Sequence, residues 1–180
     1  LVGKDDAALP RDAGRIGLGL ESVRAVTYGD SVQIVEESAL HAETGELLSI
    51  MDGRYITEQR TAAVSAVSVR HLARLVAATL AILGSSVQAR SHLHALSLVM
   101  PFHDVRVWSP TPAKLQQFVA EAAPRYPVRA AAGPRQAVEG ADVVLVATNS
   151  PTPAISNEWV SPGAHVIAIG ACRPSQREVD

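Results

Sequence analysis

Residues 79–89 read Thr79-Leu80-Ala81-Ile82-Leu83-Gly84-Ser85-Ser86-Val87-Gln88-Ala89. A short, nearly unbroken apolar run is how a strand buried on both faces reads. A glycine at its end, followed at once by a helical pattern, is the turn of a β-α unit. Working outward, the helix runs over 87–100 and is closed by Pro101. A second apolar run, Asp104–Trp108, ends at Ser109-Pro110-Thr111-Pro112. The next helix, 112–122, sets Leu115, Phe118, Val119 and Ala122 at i, i+3, i+4 and i+7, one apolar stripe for a sheet, and Pro124 stops it. Residues 128–132 form a weaker strand, 134–139 a short helix with Pro134 in its first turn, 142–147 the strongest strand, and 165–170 another. The order β-α-β-α-β-α-β-loop-β predicts an α/β fold with a doubly wound parallel sheet.

The N-terminal part has another texture, with Gly14, Gly17, Gly19 and Gly29 among polar residues and credible strands only at 23–27 and Leu47–Met51. Glu43-Thr44-Gly45-Glu46 reads as a hairpin turn. Residues 57–75 then form a helix whose small side chains, Ala62, Ala63, Ser65 and Ala66, permit close approach to a sheet or a ligand. The expected organisation is a partial, smaller α+β substrate and dimerisation lobe over 1–56, a bridging helix over 57–75 and the main domain over 76–180. The missing initiator Met and the charged end Arg177-Glu178-Val179-Asp180 suggest a fragment.

Composition narrows the function. With 180 residues and 47% hydrophobic content, the chain can bury a real core. Lys and Arg number 16 against 18 Asp and Glu, so a nucleic-acid partner is not expected. The single cysteine, Cys172, closes no intrachain disulfide, and no apolar stretch is long enough for a membrane span. A soluble, cytoplasmic protein with no membrane partner is the expectation.

The turn at Gly84 is where chemistry is expected. A strand ending in glycine before a helix presents backbone N–H groups and a positive dipole end, as used to hold a dinucleotide pyrophosphate in a Rossmann-type domain. The second glycine of that fingerprint is replaced here by Ser86, so an ordinary strand-to-helix turn is the competing reading. The residue that would meet the adenosine ribose falls at Ser109, which has no carboxylate to repel a 2′-phosphate. Thr111 and Lys114 nearby would accept one, so NADP is favoured over NAD. Arg60, early in the small-residue helix, suits bidentate grip of a carboxylate. The alternative is a solvated residue beside Glu58.

In order along the chain stand Met51-Asp52-Gly53, Arg60-Thr61-Ala62-Ala63, Gly84 with Gln88-Ala89, Trp159-Val160-x-Pro162-Gly163-Ala164-His165, and Gly170-Ala171-x-Arg173-Pro174 with Arg177-Glu178. Together, over roughly residues 20 to 180, they resemble the ornithine cyclodeaminase and mu-crystallin family. The resemblance implies an NAD(P)H-dependent reductase or dehydrogenase acting on the C=N or C–N bond of a small imino or amino acid, working as a homodimer. It assigns Arg60 to the substrate carboxylate and, with Thr61, to the cofactor. Gly84, Ser85, Ser86, Val87 and Gln88 would line the pyrophosphate turn, and Ser109, Thr111 and Lys114 the ribose-phosphate end. Thr148, Asn149 and Ile169 would lie at the nicotinamide.

Departures from the family pattern accompany these matches. The family's active-site lysine aligns with Arg24, which keeps the charge but does not readily give up a proton. Near Cys172 the cyclodeaminases carry an aspartate, making ornithine cyclisation the least expected activity. Residues 35–40 interrupt an expected apolar strand, so the small lobe reads as eroded. The rivals are a non-catalytic NADPH- and small-ligand-binding protein of the same ancestry, and a domain for another adenine-containing ligand such as S-adenosylmethionine.

Other candidates read as bland. His92 and His94, two apart on a helix, cannot pinch one metal and are expected on its surface; no metal site is expected. His103 and His165 read as strand-boundary residues, Glu36-Glu37 as a solvated edge, and Trp108 and Trp159 as core or domain contacts. Cys172 could be a catalytic thiol, but no histidine is identifiable as its base.

Overall fold

The computed structural model describes residues 18–28, 31–41, 43–171 and 176–180. The chain forms two compact units, Leu1–Thr57 and Glu58–Asp180.

In the first unit, β1 (Leu18–Tyr28), β2 (Ser31–His41) and β3 (Leu47–Met51) make an antiparallel sheet in the order β1-β2-β3. Residues 35–40, expected as an irregular interruption, lie inside β2, and the strand expected over 23–27 extends across all of β1. The β1–β2 register shifts between Leu20 and Ser22 and again between Arg24 and Ala25. An extra residue at each shift throws the inside–outside alternation out of step, and so hides the strands from a periodicity reading. The turn at Thr44-Gly45 forms as expected: Gly45 sits at φ 69°, Gly45 N donates to His41 O at 2.9 Å and His41 N to Glu46 O at 2.8 Å.

Helix α1 (Gly53–Leu72) begins four residues before the sequence pattern suggests. Asp52 caps it, accepting from Arg54 N at 2.9 Å and Tyr55 N at 3.4 Å. Its buried face is Ala62, Ser65, Ala66 and Val69, a helical repeat of small residues.

The second unit is built on a parallel sheet in the order β6-β5-β4-β7-β8. Its strands are β4 (Thr79–Leu83), β5 (Asp104–Trp108), β6 (Val128–Ala130), β7 (Val143–Val146) and β8 (His165–Ala168). Helices α2 (Val87–Val99), α3 (Pro112–Ala122) and α4 (Pro134–Val138) cross between them, and a single 3-10 turn, Asn157–Trp159, lies between β7 and β8. The sheet grows outward from β4 in both directions, which makes the carboxyl end of β4 a topological switch point. Alternation along the strands feeds two cores. Leu80, Ile82, Val105, Val107, Val143 and Leu145 pack with residues of α1, α2 and α3, while Ala81, Leu83, Val144 and Val146 pack with Ala137, Val138 and Ile155. Burial on both faces is the reason these strands read as continuous apolar runs.

Gly84, which ends β4, is required twice over. Its φ is 117°, and a Cβ there would strike Ala147 O of the neighbouring strand end. The glycine lets β4 and β7 close up while the chain turns into α2.

Candidate functional site

The loops at the carboxyl ends of β4, β5, β7 and β8 surround a cleft of about 1020 Å³. A smaller hollow of about 470 Å³ adjoins it, sharing Trp108, Ser109 and Pro110 and floored by Leu115 and Ala130–Ala132. No carboxylate borders the larger cleft among the described residues, whereas Arg90 and Lys114 do.

The turn at its centre is open. Gly84 N donates to Trp108 O at 2.8 Å and so belongs to the sheet, but Arg90 N is the first amide to donate back along α2, to Ser86 O at 3.2 Å. The amides of residues 86–89 therefore precede the first intrahelical bond, at the positive end of the helix dipole. Ser86 has φ −78°, a value any residue adopts, and its side chain is exposed and makes no cap bond. Serine in the second glycine position thus costs no backbone strain.

Arg90 holds this geometry in place. Its Nη1 donates to Ser85 O at 2.6 Å and Ser86 O at 3.4 Å, Nε donates to Glu121 at 2.9 Å, and the guanidinium carbon lies 5.1 Å from the centre of the Phe118 ring. The carbonyls of the turn are thus drawn toward the guanidinium, and of residues 86–89 Ser86 and Gln88 border the cleft. The Ser85 and Ser109 hydroxyls, both buried, bond each other at 2.9 Å and tie the β4 turn to the β5 turn. Gln88 Oε1 is buried on the wall of the cleft without a hydrogen-bond partner.

Most of the expected binding residues meet here: Gly84, Ser85, Ser86, Gln88, Ser109, Thr111, Lys114, Thr148, Asn149 and Ile169 all border the cleft. Thr148 does so with its hydroxyl turned away, donating to Glu178 Oε1 at 2.7 Å. Val87 does not border it, because its side chain at the first helical position faces solvent. Arg60 and Thr61 do not border it either; Arg60 is exposed, two residues from Ala62 and so on the opposite side of α1 from the buried face. Arg24 lies in β1, in register with Glu36 of β2, and Cys172 lies outside the described residues.

Several cleft residues were not anticipated, notably Arg90 and Gln117. Trp108 and Trp159, expected as core or domain contacts, pack against the second core and also border the cleft. A tryptophan at the carboxyl end of a parallel strand was the available signal. His92, expected on the helix surface, is fully buried. Its Nδ1 lies 2.7 Å from Gln88 O and its Nε2 3.0 Å from Ser65 Oγ on α1. A carbonyl only accepts, so Nδ1 carries the proton, while the Ser65 hydroxyl beside Nε2 also donates to Thr61 O at 3.2 Å. Burial holds the His92 pKa below its ordinary value, opposed by the bond to Gln88 O.

Comparison with known proteins gives the family. Residues 31–180 match the model of the ornithine cyclodeaminase/mu-crystallin family. The chain belongs to that family. The ketimine reductase mu-crystallin of Macropus fuliginosus is 43% identical over 167 residues, a match covering 88% of this chain and 52% of that protein. The structure of Thermococcus litoralis Δ1-pyrroline-2-carboxylate reductase in complex with NADH and L-proline superposes with a TM-score of 0.78 at 29% identity, covering 81% of this chain and 46% of that one. The iminosuccinate reductase of Paracoccus denitrificans, in complex with NAD+, superposes with a TM-score of 0.72 at 30% identity, covering 81% and 45%. This family member spans about half the length of the relatives it matches. Among its described residues no helix is long and apolar enough to cross a membrane.

Proposed function

We propose that this chain carries the cofactor cleft, and part of the substrate lobe, of an NAD(P)H-dependent reductase acting on the C=N bond of a small imino acid. The observation that carries the reading is the open start of α2: the amides of residues 86–89 stand before the first intrahelical bond, and Ser86 and Gln88 border a cleft with two cationic side chains and no bordering carboxylate among the described residues. A nicotinamide dinucleotide fits what is present. The amides and Ser86 would receive the diphosphate, and Gln88 Oε1, buried without a partner, would accept from a ribose hydroxyl. Trp108, Leu115 and Ala130–Ala132 offer an apolar seat for adenine. Ser109, Thr111 and Lys114 favour a 2′-phosphate, hence NADP over NAD. The reductases among the relatives support the reaction class.

When bound, the cofactor supplies hydride to the imine carbon. The chain's own part is to bind and orient. Arg60 would hold the substrate carboxylate by a bidentate pair, and Arg24 would keep the positive charge of the family's lysine. A guanidinium keeps its proton at neutral pH, so the proton reaching the imine nitrogen comes from solvent. Residues 1–56 would be part of a substrate and dimerisation lobe, 57–75 a bridging helix and 76–180 the dinucleotide-binding domain of a homodimer.

Titration of the intact protein with NADPH, NADH and S-adenosylmethionine, followed by thermal unfolding, tests the cofactor. The nicotinamide dinucleotides are expected to raise the midpoint and S-adenosylmethionine to leave it unchanged; the reverse selectivity sinks the reading. Oxidation of NADPH with Δ1-pyrroline-2-carboxylate tests the reaction. Arg24 also supports a second reading, cofactor binding without turnover: tight NADPH binding with no oxidation, and turnover appearing in Arg24→Lys, would establish it.

A further inference from the structure

The last stretch of the chain is fixed from both sides. Val179 forms a parallel bridge with Ile155, and Glu178 O accepts from Ala154 N at 2.8 Å. Between these contacts the Glu178 side chain turns inward and is 1% exposed. Its Oε1 accepts from Thr148 N at 2.6 Å and Thr148 Oγ1 at 2.7 Å, and its Oε2 from Gly170 N at 2.6 Å and Ala171 N at 3.1 Å. One carboxylate thus joins the loop after β7 to the loop after β8. The two loops touch so closely that a Cβ on Gly170 would land on Thr148 O and 2.6 Å from Glu178 Oε1.

These are the loops that form one end of the cleft, through Ala147, Thr148, Asn149, Ile169 and Gly170. The order β6-β5-β4-β7-β8 puts the diphosphate turn at β4 in the middle, so a dinucleotide lying across it sets one nucleoside over β5 and the other over β7 and β8. With adenosine at Ser109, the nicotinamide falls against the wall that Glu178 holds. Glu178 does not itself border the cleft.

We infer that Glu178 is a positioning residue for the nicotinamide half of the cofactor, acting through the amides of Thr148, Gly170 and Ala171; this rests on the dinucleotide reading above. Three amides and a hydroxyl that lose their acceptor while buried must find water or another partner, and the two loops can then part only at the nicotinamide end. The diphosphate turn is tied instead to β5, by Gly84 N to Trp108 O and Ser85 to Ser109, and stays as it is.

The test is Glu178→Gln in the intact protein, with Kd measured for NADPH and NADH and for the fragments 2′-phospho-ADP-ribose and ADP-ribose, which lack nicotinamide. Glutamine keeps one acceptor oxygen but sets an NH2 group against two donors. The expected result is NADPH and NADH Kd values raised tenfold or more and fragment Kd values within twofold of wild type. Glu178→Asp, which keeps the carboxylate but withdraws it by one methylene, is expected to show the same selectivity at smaller size; if the glutamine variant fails to fold, this variant decides alone. A purely structural role would weaken cofactor and fragment in parallel, and that outcome, or unchanged NADPH binding, overturns the inference while leaving the dinucleotide reading in place. Wild-type protein that binds neither cofactor nor fragment overturns both.

Discussion

The two edges of the parallel sheet dispose of their backbone ends differently. At the amino edge, Asp142 Oδ2 accepts from Ala78 N at 2.9 Å and Thr79 N at 3.0 Å while Oδ1 takes Arg74 at 2.6 Å. The Ala78 amide above all holds the Asp142 carboxyl below its ordinary range. Beside it Asp104 is gripped by Arg129 at 2.8 Å and Arg106 at 2.7 Å, and the bond from Arg129 depresses its pKa most. At the carboxyl edge the only such carboxylate among the described residues, Glu178, is buried behind the wall, and the amides at the start of α2 have no side-chain cap. The chain closes the amino edge with its own acids, while among the described residues no carboxylate borders the cleft at the carboxyl edge.

That contrast can be broken most severely through the glycines. Gly84→Ala adds a clash with Ala147 O to a residue at φ 117°, and is expected to cost about 3 kcal/mol or more in urea unfolding. Gly133→Ala, where an added Cβ meets nothing within 4 Å, should stay within about 0.5 kcal/mol. Equal losses at both would show that the close approach of β4 and β7 is unimportant.

Asp142→Asn removes the acid from the amino edge and should cost about 1–2 kcal/mol of stability. Nucleotide affinity, measured by titration well below the unfolding midpoint, should not move. A matching fall in NADPH affinity would mean that the two edges are not separate in function.

Within the cleft, Lys114→Ala is expected to raise the NADPH Kd about fivefold, roughly 1 kcal/mol for an exposed charge pair, and to leave the NADH Kd almost unchanged. Equal effects on both cofactors would remove Lys114 from the 2′-phosphate.

The smallest expected effect is a pH slope. Burial lowers the folded-state pKa of His92 and of His165 from 6.5. The unfolded chain therefore binds more protons as pH falls through about 6.5, so this contribution to stability is complete above that value and declines below it. Denaturant midpoints from pH 7.5 to 5 should fall, and His92→Gln should flatten the fall. A midpoint that rises on acidification contradicts the buried neutral ring.

The parallel sheet was legible because strands buried on both faces leave continuous apolar runs, punctuated here by Gly84, Pro101 and Pro124. In the antiparallel unit β3 and the turn at Thr44-Gly45 were legible, but the full lengths of β1 and β2 were not, since register shifts near Leu20 and Arg24 break the alternation on which such readings depend. Helix α1 starts four residues before the small-residue run suggests because Asp52 caps it. His92 reads as a surface residue from its own helix, because the partner that accompanies its burial, Ser65, stands on another. Glu178 entered the reading only through the Arg177-Glu178 match, because its partners are long-range, 30 residues away at Thr148 and 8 away at Gly170. The glycine turn after β4 was legible in type and position, while Arg90, which holds the Ser85 and Ser86 carbonyls, reads as one more helical arginine.

The most direct test of the open α2 terminus is the amide resonances of residues 86–89, followed by NMR as NADPH is added to the intact protein. Large shifts at those four amides, with little change at the amides of Ala78 and Thr79, are the result expected. Saturable NADPH binding that leaves the four unmoved would contradict the assignment of the diphosphate to this turn.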